Sequence, residues 1–319
     1  MNNHTTSAFD FIADIHGHAE ELKLLLHKLG YENSQGFYKH PEGRKVIFLG
    51  NFIDKGKKIR KTLHIIKAMC DNGSGEAILG SHEYNALCFW EMNKSKGGYL
   101  RKHSIKNIMQ HSKTIKQFDG EEEEWESFLS WFMLLPLFIE KPTFRAIHAC
   151  WDEKMIEAIK NELPEHRMSK VYLHRSAEKE YKEHRQIRTI LKGREMVLPK
   201  PYFIQNGDDE KKHEAKIKWW VNPKEALYGE YLFNCPEELK DNPVTAGNIS
   251  GEYFYQSETP VFFGHYVLNA PLKLQTPKVA CLDYGVAKSG MLSAYRFNGE
   301  KELMAKNFVS VLKETEPAV

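Results

Sequence analysis

The feature that most constrains this chain is a series of short apolar runs, each of which stops at a polar residue able to hold a metal or move a proton. Residues 9–13 stop at Asp14, 45–50 at Asn51, 76–80 at Ser81 and His82, 144–147 at His148, 260–264 at His265 and 278–282 at Asp283. Apolar runs of that length with polar ends read as buried strands. Between the early runs the period changes. Residues 18–29 carry Leu22, Leu25, Leu26 and Leu29, and 58–69 carry Ile59, Leu63, Ile66 and Met69. Both are the stripe of a helix with one face in a core. A third helix is predicted over 83–92, with Gly97 and Gly98 soon after. Strand and helix in alternation predict a layered α/β fold. Ligands in such folds bind outside the carboxyl ends of the strands, where the polar residues stand.

The middle of the chain reads differently. Residues 152–258 are dense in Lys, Glu, Arg and His, with a turn signal at Asn206-Gly207-Asp208-Asp209. The acidic run 121–124 reads as a solvated loop or a helix start. No internal repeat and no Pro-rich or Gly/Ser-rich linker is visible. The expectation is one domain over 1–319, with 152–258 as a charged insertion or cap within it. The β pattern returns at 260–264, 278–282 and 292–297, and the chain is expected to fray from Lys313 on.

Composition excludes several classes. With 319 residues, 28% of them charged, and a formal net charge of +2, the chain is too balanced to argue for nucleic acid or an anionic membrane as its main partner. The longest apolar stretch, 128–139, is broken by Ser130 and Pro136 and falls short of the about 20 residues that span a bilayer. Met-Asn-Asn-His-Thr-Thr has no cationic region followed by an apolar one, so no secretory signal is expected. The five cysteines are scattered without a CxxC pair, which suits free thiols in a reducing cytoplasm.

Chemistry is carried by the polar strand ends together: Asp14, His16, Asn51, Asp54, Ser81, His82, His148 and His265. A lone His after a strand is more often a hydrogen-bonded structural residue than a ligand. A succession of Asp-, Asn- and His-bearing loops is a stronger signal. Carboxylate and imidazole suit divalent Mn, Fe or Zn. Two such ions about 3.5–4 Å apart can clamp the attacking and leaving oxygens of a phosphoester. No P-loop and no Gly-x-Ser-x-Gly elbow is present.

The blocks Ala13-Asp14-Ile15-His16-Gly17, Gly50-Asn51-Phe52-Ile53-Asp54-Lys55-Gly56, Gly80-Ser81-His82-Glu83, His148 and Gly264-His265 resemble the calcineurin-like metallophosphoesterases. That family writes them GDxHG, GDxxDRG, GNHE, H and H. The form is nearest the phosphoprotein phosphatase branch, with its serine/threonine phosphatases and bacterial diadenosine tetraphosphatases. Leu282-Asp283-Tyr284-Gly285 is similar to the LDTG of the latter. The wider family ends in GHxH, where this chain has Gly264-His265-Tyr266-Val267. The resemblance is thin over 152–258.

The resemblance implies a sandwich of two mixed β-sheets flanked by helices, and up to two divalent ions. Asp14 and His16 would hold the first ion, His148 and His265 the second. Residue 51 would bridge both and residue 81 would complete the second site. A metal-bound hydroxide would attack phosphorus. His82, held by Asp54, would be the general acid, and residue 55 would grip a phosphate oxygen. The implied substrate is a phosphoprotein, a dinucleoside polyphosphate or a small phosphoester, and the oligomeric state stays open.

Three positions depart from the pattern. Asn51 replaces the bridging Asp: a carboxamide offers one neutral oxygen and an NH₂ that a cation repels. Ser81 replaces a metal-binding Asn with a shorter, weaker ligand. Lys55 replaces Arg and keeps the charge without the fork. Loss of such support lowers metal affinity by about 10–100-fold in analogous sites. Two readings stand: a metal-dependent phosphoesterase attenuated by Asn51 and Ser81, and a catalytically inactive binding protein on the same fold. Arg101, His103, Arg175, Lys192 and Arg194 could reach a substrate phosphate or be ordinary ion-paired residues. Trp151, Trp219 and Trp220 read as packing.

Overall fold

A computed structural model describes residues 8–94, 96–206, 210–245 and 253–313. The turn at 207–209 and the residues after Lys313 lie outside them. Two mixed sheets form the centre. In the six-stranded sheet Phe9–Ile12 pairs parallel with Lys45–Phe48, which pairs parallel with Gly75–Ala77; on its other side it runs antiparallel to Met291–Phe297, which also carries Asp283–Tyr284 and Phe308–Leu312. The four-stranded sheet has the order Val279–Cys281, Val261–Phe263, Phe144–Ile147, Phe138–Lys141; only its last pair is antiparallel.

Alternation along the strands explains why the sheets stack. Phe9, Phe11, Ile47, Phe144, Ala146, Phe262, Ala280, Tyr295 and Phe297 belong to one buried cluster, while Ile12, Val46, Phe48, Ile147, Val261 and Phe263 belong to another. Side chains of period 2 thus fill the space between the sheets with one parity and meet the helices with the other. Phe11 stacks on Phe262 at 3.8 Å between ring centroids. The helix Ala19–Lys28 buries Leu22, Leu25 and Leu26, and Ile59–Asp71 buries Ile59, Leu63, Ile66 and Met69. The predicted stripes face the core.

Two boundaries differ from expectation. The strands end earlier than the apolar runs, so Ala13, Leu49 and Gly264 already belong to the loops. The third helix spans Ser81–Trp90, not 83–92, so Ser81 and His82 form its first turn. The cause is Glu83, whose carboxylate accepts from the backbone N–H groups of Gly80, Asn51 and Phe52 at 3.2, 2.8 and 2.7 Å. That clamp starts the helix at Gly80 and ties it to the neighbouring loop. The acidic run opens the helix Glu122–Leu134, where Glu122, Glu123 and Glu124 suit the positive end of the helix dipole. No helix among the described residues is long and apolar enough to cross a membrane.

The charged middle contributes the helices Glu153–Glu162, Lys170–Ala177 and Lys182–Lys192, then the antiparallel pair Glu195–Val197 and Glu214–Lys216. Trp151, Trp219 and Trp220 are buried, as their packing role requires. All five cysteines are free.

Candidate metal and phosphoryl-transfer centre

The strand ends converge. Asp14, His16, Asn51, Asp54 and His265 have φ of 50, 52, 59, 85 and 66°. Left-handed backbone is uncommon for residues with a Cβ and clusters at functional sites. Here it turns the chain within the loops that follow the strands. Glycines permit the approach. A Cβ on Gly264 would lie 2.0 Å from Asp14 Oδ2, and one on Gly50 would lie 2.4 Å from Gly80 Cα.

One half of the centre is a proton-holding relay. Asp54 accepts from His82 Nδ1 at 2.5 Å, His111 Nδ1 at 2.7 Å and Thr114 Oγ1 at 2.7 Å. The Trp90 indole N–H donates to His111 Nε2 at 3.2 Å, so His111 presents its Nδ1–H to Asp54. Burial alone would raise Asp54, but the hydrogen bonds from His111 and His82 outweigh it and hold the carboxyl well below its usual range. The His16 and His82 rings meet edge to face at 4.7 Å.

The other half gathers the expected metal ligands. His16 Nδ1 meets Ile53 O at 2.9 Å and His148 Nδ1 meets Leu49 O at 2.7 Å. Each bond fixes the tautomer and turns the Nε2 lone pair inward, the arrangement that metal-binding imidazoles use. Burial drives His148 down to about 3 and holds His16 and His265 well below the ordinary range, so all three are neutral, as ligands must be. These residues fit a borderline divalent ion. Asn51 lies at the middle. Its Nδ2 donates to Asp14 Oδ1 at 2.7 Å; its Oδ1 accepts from Ser81 Oγ at 3.1 Å and His82 N–H at 2.9 Å. Asp14 Oδ2 accepts the His265 N–H at 2.8 Å. Ser81 Oγ is 3.3 Å from His148 Nε2 and 3.5 Å from His265 Nδ1. Positions 51 and 81 are neutral, and no three His, Cys, Asp or Glu side chains among the described residues converge as a metal set.

Lys55 is exposed and borders a cavity of about 520 Å³ with Lys57, Lys58, Lys113 and Lys313. Three of the other basic candidates are engaged elsewhere. Arg194 pairs with Asp152 at 2.7 Å, Arg175 lies 3.3 Å from Glu183, and His103 stacks between Phe89 and Tyr99. Arg101 differs: among the described residues its guanidinium bonds the neutral oxygens of Asn107 and Gln110, at 3.0 and 2.7 Å, and no carboxylate.

Three residues escaped the sequence reading. His111 sits inside the helix Ile105–Gln117, away from any strand end, and nothing in its spacing marks it. Asp283 was visible in its motif but had no role. It is buried, and burial raises its carboxyl to about 6; its charge in turn helps raise Asp14, for which burial is the larger cause. Lys216, from the charged middle, places Nζ 4.8 Å from the ring of Tyr266, the residue after His265. Burial pushes its ammonium down to about 8, and no carboxylate among the described residues lies within ion-pair distance.

Residues 8–184 match the calcineurin-like phosphoesterase family. The chain belongs to that family. Membership implies a divalent metal cofactor and agrees with the α/β sandwich described above. Similar curated proteins include the bis(5'-nucleosyl)-tetraphosphatase PrpE of Oceanobacillus iheyensis, 26% identical over 46% of this chain and 58% of the relative. That of Halalkalibacterium halodurans is 36% identical over 23% of this chain and 30% of the relative. The chain thus spans 58% or less of the length of these relatives. Among solved structures, a Saccharomyces cerevisiae protein serine/threonine phosphatase aligns over 100% of this chain and 83% of its own, with 11% identity and a TM-score of 0.47. A cold-active protein-tyrosine phosphatase of a psychrophilic Shewanella aligns over 97% and 80%, with 15% identity and a TM-score of 0.45.

Proposed function

We propose that this chain is a metal-dependent phosphoesterase that hydrolyses a phosphomonoester or a dinucleoside polyphosphate. The observation that carries the reading is the His82–Asp54–His111 relay, with contacts of 2.5 and 2.7 Å, beside the neutral imidazoles of the expected metal site. Asp14, His16, Asn51, Ser81, His148 and His265 would hold up to two ions, with Mn, Fe or Zn suited to the donor set. When bound, the metal supplies charge neutralisation at the phosphoryl group and acidifies water.

The chain's own residues do the rest. Asp54 keeps the His82 Nδ1–H engaged and leaves Nε2 for proton transfer to the departing oxygen. His111 and Thr114 hold Asp54 in turn, so the relay is positioned by a helix. Lys55 meets a substrate oxygen from the exposed side. Arg101 and Lys216, neither of them paired with a carboxylate among the described residues, favour an anion on the insertion side. The 152–258 insertion within a single domain decides the substrate. The PrpE relatives favour a dinucleoside polyphosphate; a phosphoprotein is the alternative. Free thiols suit a reducing compartment, and we place the chain in the cytoplasm.

The test is Mn-dependent turnover of an aryl phosphate and of diadenosine tetraphosphate. His82→Gln is expected to lower kcat by about 10²–10⁴-fold. Absence of metal-dependent turnover of either substrate, by a folded and metal-loaded protein, would sink the catalytic reading. One observation favours a second reading, an inactive binding protein: the Asn51 amide already donates to Asp14 at 2.7 Å. The double change Asn51→Asp with Ser81→Asn separates the two. A sound catalytic frame gains turnover; a binding protein stays silent.

A further inference from the structure

We infer that the centre holds a single divalent cation, on its Ser81–His148–His265 side, and that the Asn51 amide stands in for the other ion. The inference rests on the metal-dependent reading above and narrows it.

The two ends of Asn51 are not interchangeable. Oδ1 faces the His82 backbone N–H at 2.9 Å, a group that can only donate. Nδ2 faces Asp14 Oδ1 at 2.7 Å. A flipped amide would set N–H against N–H and oxygen against carboxylate oxygen, two repulsions at hydrogen-bond range. The amide orientation follows from these neighbours.

The consequence differs on the two sides. On the Asp14 side, hydrogen rather than a lone pair points at the carboxylate. An ion bound between Asp14 and residue 51 would meet that N–H. The second oxygen of Asp14 is taken by the His265 N–H at 2.8 Å, so the carboxylate is satisfied by two donors where the family pattern would use a cation. On the Ser81 side the imbalance is reversed. Ser81 has one hydroxyl proton, and Asn51 Oδ1 and His148 Nε2 both face Oγ as acceptors, at 3.1 and 3.3 Å. His148 must be an acceptor at Nε2 because Nδ1 donates to Leu49 O at 2.7 Å. One proton cannot serve both, and with the hydroxyl turned to His148 the Asn51 oxygen keeps the His82 N–H and a second lone pair that faces Ser81. His265 Nδ1, 3.5 Å from the same oxygen, adds another nitrogen to the cluster. Oxygen and imidazole lone pairs that converge on one point are what a cation can use as ligands. Two imidazoles with two neutral oxygens fit a single borderline ion such as Mn, Fe or Zn.

The experiment reads stoichiometry without substrate, so a catalytically silent protein still answers it. The full chain is stripped with chelator, titrated with Mn, and followed by metal content and electron paramagnetic resonance. The expected result is one ion per chain with an uncoupled Mn signal. Asn51→Asp is expected to bind a second ion and to show Mn–Mn coupling. His148→Ala should lose the ion, whereas His16→Ala should keep it, with circular dichroism confirming that each variant folds. Two ions in the unaltered protein, none at all, or loss of the ion in folded His16→Ala would each overturn the inference. If folded Asn51→Asp stays at one ion, the amide is not what excludes the second, and the inference fails on that arm as well.

Discussion

Asp10 and Asp14 stand four residues apart at the two ends of the first strand, and both are buried, at 0% and 2% exposure. Their surroundings are opposite. Asp10 accepts from Arg44 Nε at 3.0 Å and Nη2 at 3.0 Å, from Arg296 Nε at 3.2 Å and from the Tyr31 hydroxyl at 2.9 Å. No Arg or Lys among the described residues pairs with Asp14; an amide and a backbone N–H hold it, at 2.7 and 2.8 Å, and Asp283 and Glu83 repel its charge. A buried carboxylate compensated by guanidinium is a structural element. One left with neutral donors beside a second acid is costly to ionise and is the kind of group that active sites retain. The sheet is therefore anchored at one end and left electrostatically open at the other.

The largest test of that contrast is to remove the anchor. Arg44→Met leaves Asp10 with part of its shell and is expected to cost about 3–5 kcal/mol, read by urea unfolding; a loss below about 1 kcal/mol would mean Arg296 suffices. The open end should respond to anions. Lys216→Gln is expected to weaken inorganic phosphate binding by about 10-fold, roughly one charge-assisted hydrogen bond, by calorimetry. The sign of its pH dependence follows from its lowered value. Above about 8 the folded chain loses this charge, so phosphate affinity should fall between pH 8 and 9, and Lys216→Arg should retain it. Over the same range the unfolded lysine, at about 10.4, still binds its proton, so this residue's contribution to stability rises with pH. The smallest effect is at Asp14 itself. Asp14→Asn relieves an uncompensated charge but sets its new NH₂ against one of the two donors that Asp14 now accepts; the two effects oppose, and stability should change by about 1 kcal/mol. A loss as large as that of Arg44→Met would erase the distinction between the two ends.

Much of this was legible in the chain. Short apolar runs placed the strands they marked within three residues, and period-3.6 stripes placed the first two helices within two, because burial is in part a local property of sequence; Phe138–Lys141 and Phe308–Leu312 were not marked. The ligand-bearing loops were legible for the same reason: each polar residue interrupts an apolar run. His111 was not, because it reaches Asp54 from a helix 57 positions away in sequence, and its spacing is that of any helical residue. The third helix was placed two residues late because its start depends on the Glu83 carboxylate binding Asn51 and Phe52, a contact between two loops.

The sequence by itself determined the α/β layering, the order of the polar strand ends and the three departures at Asn51, Lys55 and Ser81. Each of these is written in residue type and spacing. The tertiary structure decided which way the Asn51 amide points, which acid is compensated, and that Lys216 of the charged middle lies near the centre with no ion-paired carboxylate among the described residues. Those outcomes depend on donors and charges brought together from distant segments, and only folding sets the distances at which they act.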